Sequence, residues 1–125
     1  MRIFKSKWFV KFALKQNINN TALRQAIEEI EAGKIDADLG GGVIKQRIAR
    51  PGKGKSSGYR TIILYKQGDK AFFVYGFAKN ERENISEQEE EDLKVLAKEI
   101  LTMSEEKLSE LIKTRIYREV YDEQE

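Results

Sequence analysis

Residues 43–78 read VIKQRIARPGKGKSSGYRTIILYKQGDKAFFVYGFA, and this stretch decides the fold. Side chains on a strand alternate between two faces. Residues 43–49 therefore put Val43, Lys45, Arg47 and Ala49 on one side and Ile44, Gln46 and Ile48 on the other. Residues 59–66 repeat the pattern, with Arg60, Ile62, Leu64 and Lys66 opposite Tyr59, Thr61, Ile63 and Tyr65. Residues 71–78 form an almost unbroken apolar and aromatic run, as expected of a central strand. The link Gln67-Gly68-Asp69 carries a hairpin signal. Three antiparallel strands follow from this. Ile44 and Ile48 must face a core, so the spacing predicts a sheet covered by helices on one face and displaying Lys45 and Arg47 on the other.

Upstream, residues 2–5 read as a short strand. Trp8, Phe9, Phe12 and Ala13 then fall at helical spacing within residues 7–15. A second helix is expected from Thr21 as N-cap, through Leu23, Ala26, Ile27 and Ile30, to Gly33 as C-cap. Residues 37–42, with three consecutive glycines, read as a loop. Downstream, Ser86 with Glu89 three residues on is a capping box. It opens a helix whose apolar stripe is Leu93, Leu96, Ala97, Ile100 and Leu101. A further short helix can start at Ser104, and residues 102–125 are a helical or extended tail. The expectation is one α+β domain over residues 1–125. Two N-terminal helices pack on a small antiparallel sheet of three main strands plus a short N-terminal one, closed by a C-terminal helix.

Composition narrows the chemistry. The chain has no cysteine and no histidine. That excludes a disulfide framework, a thiolate metal site and the usual neutral-pH acid/base group. We expect no metal, no cofactor and no membrane association, since no apolar run approaches the about 20 residues needed to span a bilayer. The cytoplasm is the default compartment. The net charge of +2 hides an asymmetry: residues 1–82 carry 17 Lys/Arg against 7 Asp/Glu, while residues 83–125 carry 6 against 14. Residues 41–66 hold seven cations and no acid. Such a surface suits a polyanion. Two cations on one strand face repel each other unless an anion offsets them, which favours a phosphate partner. The loop between the first two strands adds Arg50, Lys53 and Lys55. Its Gly54-Lys55-Ser56 resembles the end of a nucleotide-binding P-loop. That motif is excluded, because its first glycine would fall on Ala49 and the segment leads into a strand. A cationic loop that settles on a nucleic-acid backbone fits better, with Tyr59 and Tyr65 as stacking candidates beside it. Asp36 and Asp38, and the acids at the start of the third helix, are weak signals for paired-carboxylate chemistry.

Three blocks carry a resemblance to a known family. They are Gly40-Gly41-Gly42-Val43-Ile44-Lys45-Gln46-Arg47-Ile48-Ala49-Arg50, then Gly58-Tyr59-Arg60-Thr61, then Phe77-Ala78-Lys79-Asn80-Glu81-Arg82. Together with Lys5-Ser6-Lys7-Trp8-Phe9 and Asp36-Ala37-Asp38-Leu39-Gly40, they resemble the RelE/ParE superfamily of toxins, closest to its RelE/HigB-like branch. The resemblance implies a protein that binds in the ribosomal A site, cuts mRNA there and is neutralised by an antitoxin, usually of helix-turn-helix type. It implies that Lys45 and Arg47 contact the phosphate and orient the 2′-hydroxyl. Arg60 would stabilise charge on the scissile phosphate, and Lys79 and Arg82 would close the site. Some members carry a tyrosine or histidine just after the last basic cluster. Here the cluster runs into Glu83, Asn84, Ile85 and Ser86, leaving Tyr59, Tyr117 and Tyr121 as possible substitutes. Two other activities stay open at this point: a ParE-like inhibitor of DNA gyrase without nuclease activity, and a non-catalytic RNA-binding domain.

Overall fold

A computed structural model describes residues 1–50 and 58–121. The chain runs β1 (Arg2–Ser6), α1 (Lys7–Gln16), α2 (Asn20–Glu31), β2 (Ala37–Gly40), β3 (Val43–Ile48), β4 (Tyr59–Lys66), β5 (Lys70–Ala78), α3 (Glu87–Leu101), α4 (Glu105–Lys113) and β6 (Tyr117–Val120). The α+β class stands, but the sheet is larger than the sequence suggested. Six strands in the order β2-β3-β4-β5-β1-β6 form one mixed sheet. β1 pairs in parallel with β5, and β6 pairs antiparallel with the other side of β1. One segment thus needs correction: residues expected to be a loop include the edge strand β2. The tail, expected to be helical or extended, supplies α4 from the Ser104 cap and then the opposite edge, β6.

The helix boundaries follow local chemistry. Ser6, Asn19, Ser86 and Ser104 each cap a helix by accepting a backbone N–H three residues on. The Ser86 capping box is complete, with the Glu89 carboxylate returning to the Ser86 N–H. For α2 the cap is Asn19 rather than Thr21, because the break at Asn17 ends earlier than the turn residues implied. Its C-cap is Ala32, and Gly33 follows at φ +86°.

Both faces of the sheet are buried, not one. Helices α1 and α2 cover a face bearing Ile44, Ile48, Ile63 and Phe73. Helices α3 and α4 cover the other, bearing Phe4, Val43, Ile62, Leu64 and Phe72. Lys45 and Arg47 lie on this second face. It is apolar at the Val43/Leu64 end of the β3–β4 hairpin and becomes cationic toward the Arg47/Arg60 end. The cover of α3 thus leaves the Arg47/Arg60 end of that face for charge.

Candidate functional site

The register of β3 and β4 assembles the cationic set. Arg47 sits directly opposite Arg60, and Lys45 opposite Ile62, so all three cations share one face. Gly58 lets the hairpin close: a Cβ there would lie 2.1 Å from the Ile48 carbonyl oxygen. Two like charges facing across a ladder are unfavourable unless anions offset them. Asp36 does so for Arg47, taking its guanidinium at 3.1 Å and its backbone N–H at 2.7 Å. Asp36 is itself placed by the buried Gln46, whose amide accepts from the Asp36 N–H at 3.0 Å and donates to the Lys34 carbonyl at 2.8 Å. Lys45 donates to the Asn84 side chain at 3.2 Å.

Arg60 is different. One of its guanidinium nitrogens, Nη1, is buried and makes no hydrogen bond among the described residues. A buried donor left unmade costs about 1–3 kcal/mol.

Arg82 closes the site from the turn after β5. Its guanidinium donates to the Asn84 carbonyl at 2.7 Å and to the Tyr75 hydroxyl at 3.0 Å, and pairs with Glu89 at the start of α3. It also lies 5.9 Å from the ring centres of Tyr75 and Phe77. Phe77 is the register partner of Arg60, which joins Arg82 to the rest of the set. The Arg82 guanidinium, followed by the Ser86 N–H, holds the Glu89 carboxyl at about 2, against an ordinary 4.5. A depressed folded-state pKa means stability that is complete above the ordinary carboxylate range and lost as pH falls. The advantage of the wild type over Glu89→Gln is therefore expected to be full at neutral pH. It should shrink from about pH 4.5 down toward 2, as read by acid unfolding monitored by circular dichroism.

The remaining sequence candidates are distributed unevenly. Lys79 is exposed in the turn just before Arg82. The Arg50 guanidinium stacks 5.3 Å above the Tyr59 ring. Tyr59 points to the other face, only 4 % exposed, with its hydroxyl donating to Gln16 at 3.0 Å. It is a core residue there and offers no open face for a base. Tyr65 packs against the same core. Lys53 and Lys55 lie outside the described residues. Asp38 only caps its own turn, accepting from the Gly40 N–H at 2.9 Å.

Neither Tyr117 nor Tyr121 reaches the cations. Tyr117 is buried in β6 against Phe72, where burial raises its phenol. Tyr121 follows β6, with its carbonyl accepting from Arg24. The hydroxyl that does meet the set is Tyr75, through Arg82. Sequence reasoning missed it, because a tyrosine inside an apolar run reads as core. Nothing in its spacing marked it: Tyr75 is the register partner of Ile62 and so shares the face of Lys45, Arg47 and Arg60, a pairing the sequence alone does not declare.

The family model described as RelE toxin of RelE / RelB toxin-antitoxin system matches residues 1–120. No curated protein matches the chain.

Proposed function

Because the chain belongs to the RelE toxin family and so is the toxin of a toxin–antitoxin pair, we propose that it is a ribosome-dependent endoribonuclease that cuts mRNA without a metal. The observation that carries this reading is the meeting of Lys45, Arg47 and Arg60 on one face of the β3–β4 pair. In-line attack of a ribose 2′-oxygen on the adjacent phosphorus breaks the bond to the 5′-oxygen and leaves a 2′,3′-cyclic phosphate. That reaction needs a fixed geometry and cations around the phosphoryl oxygens as charge develops. Arg60, on the same face as Lys45 and Arg47, is the group for the developing charge. Arg47, oriented by Asp36, and Lys45 hold the phosphate. Arg82 contacts the neighbouring backbone, and Tyr75, hydrogen-bonded to Arg82, is the group for moving the proton. Arg50, Lys53, Lys55 and Lys79 extend the electrostatic track along the RNA. Tyr59 has no part in it.

The partner is the cognate antitoxin, which we take to be of helix-turn-helix type with an acidic segment that masks the cations. The ribosomal target puts the protein in the cytoplasm. Among the described residues no helix is long and apolar enough to cross a membrane.

Induced expression, followed by mapping of mRNA 5′ ends, tests the reading. Growth arrest with cuts at fixed codon positions supports it. Arrest with a DNA-damage response and intact mRNA would replace it with gyrase inhibition. No arrest would leave a non-catalytic RNA-binding domain.

A further inference from the structure

β1 pairs with β5 only as far as Phe73 before the chain turns into α1 at Lys7. The rest of β5 therefore has no strand on that side, and the Ser6 hydroxyl donates to the Val74 carbonyl at 3.2 Å where the pairing stops. Along this open edge runs a groove of about 480 Å³. Its wall is aromatic: Trp8 stacks on Phe12 with ring centres 5.3 Å apart, and lies 4.6 Å from Tyr75. Gly76 permits this, since a Cβ there would come within 2.6 Å of the Phe12 ring. Lys11, Lys15 and Arg82 also line the groove, against a single acid, Glu81. Trp8, Lys11 and Lys15 share one side of α1 by their spacing of three and four.

A tryptophan of α1 left 45 % exposed beside a sheet edge full of rings is not needed to complete a core. Arg82 links it to the catalytic face, because the same guanidinium touches Tyr75 in the groove and Phe77 beside Arg60. We infer that this groove is a stacking subsite for one unpaired RNA base next to the scissile phosphate, with Trp8 as the platform and Lys11 and Lys15 on the flanking phosphate. This rests on the RNA reading above and adds a residue to it. Aromatic rings interleaved with cations are what single-stranded RNA requires: every base has a face to stack, and every nucleotide carries a charge. The volume lies within the range of about 300–1,000 Å³ usual for small-molecule sites.

Trp8 is the only tryptophan of the chain, so its emission reports on the groove directly. The probe is an uncleavable 2′-O-methylated RNA hexanucleotide at low salt, with binding followed independently by the anisotropy of a dye on the RNA. Binding is expected to quench Trp8. Trp8→Ala should weaken binding by about 10- to 100-fold, the range found when a stacking ring is removed, and Trp8→Phe should restore most of it. Circular dichroism confirms that each variant is folded, and the phenylalanine variant keeps the test valid if the alanine one is not. RNA binding with unchanged Trp8 emission and unchanged affinity in both variants would overturn the subsite and leave the nuclease reading intact. Loss of antitoxin binding alone in Trp8→Ala would assign the groove to a protein contact and overturn it too. No binding to the hexanucleotide, together with no cleavage of ribosome-bound mRNA, would remove both.

Discussion

Arg60→Ala is expected to slow cleavage of ribosome-bound mRNA by about 10²- to 10³-fold, the usual effect of removing one preorganised donor to a developing oxyanion. The measurement is single-turnover cleavage on programmed ribosomes. The loss should fall on the cleavage rate more than on the concentration of toxin needed for half-saturation, because Lys45 and Arg47 still hold the phosphate. Arg60→Lys is expected to recover only a small part of the rate, since an ammonium lacks the planar fork of donors. Folding stability should stay level or rise. Arg60 faces Arg47 across the ladder and leaves a donor unpaired, so its removal relieves repulsion and an unmade hydrogen bond together. An alanine variant that is destabilised and fully active would overturn the role given to this residue.

Phe72→Ala is expected to destabilise the protein by about 3–5 kcal/mol, the range for truncating a buried phenylalanine. Phe72 is fully buried at the centre of the α3/α4 face. Its ring stacks on Phe4 at 4.7 Å and 16°, and meets the edge of Tyr117 at 5.2 Å and 70°. Those contacts bind β5, β1 and β6 together on the α3/α4 face. Urea unfolding would read the loss as a lower midpoint at an unchanged slope. A cost below about 1 kcal/mol would mean that this face collapses around the gap and is packed more loosely than its contacts imply.

Much of the core hairpin was legible, because strand faces follow from a period of two. The spans of β3, β4 and β5 came within a residue of their observed ends, and Ser86 announced α3 outright. Alternation says which side chains share a face, however, and nothing about which strands are neighbours. The parallel pairing of β1 with β5 spans two helices and three strands, so no local pattern could declare it. β2 and β6 were hidden for a related reason. Each has four residues and lies at an edge, where charge and glycine are tolerated. The same face-only logic left Lys45 and Arg47 on an expected bare surface, when the apolar Val43 and Ile62 beside them already required a second helical layer. At the site, the cations could be read from the sequence. Their acidic partners, Asp36 and Glu89, could not, because those contacts cross between elements. Tyr59 was misplaced by adjacency: a neighbour of Arg60 on a strand points the other way.

The position of β1 between β5 and β6 has a further consequence for how the chain acquires its shape. During synthesis the first strand emerges early, yet its parallel neighbour is about seventy residues behind it, and its outer neighbour starts at Tyr117. Arg2 waits for Glu119 across a separation of 117 positions. Long-range pairings of this kind make folding slow, because loop closure must precede the contacts that reward it. A nascent chain can form its β3–β4–β5 meander and its first helices while still attached, but the sheet closes only once residues through Val120 have left the exit tunnel. Assembly thus waits for Tyr117–Val120, and chains that stop before Tyr117 lack the strand that pairs with the outer side of their first one.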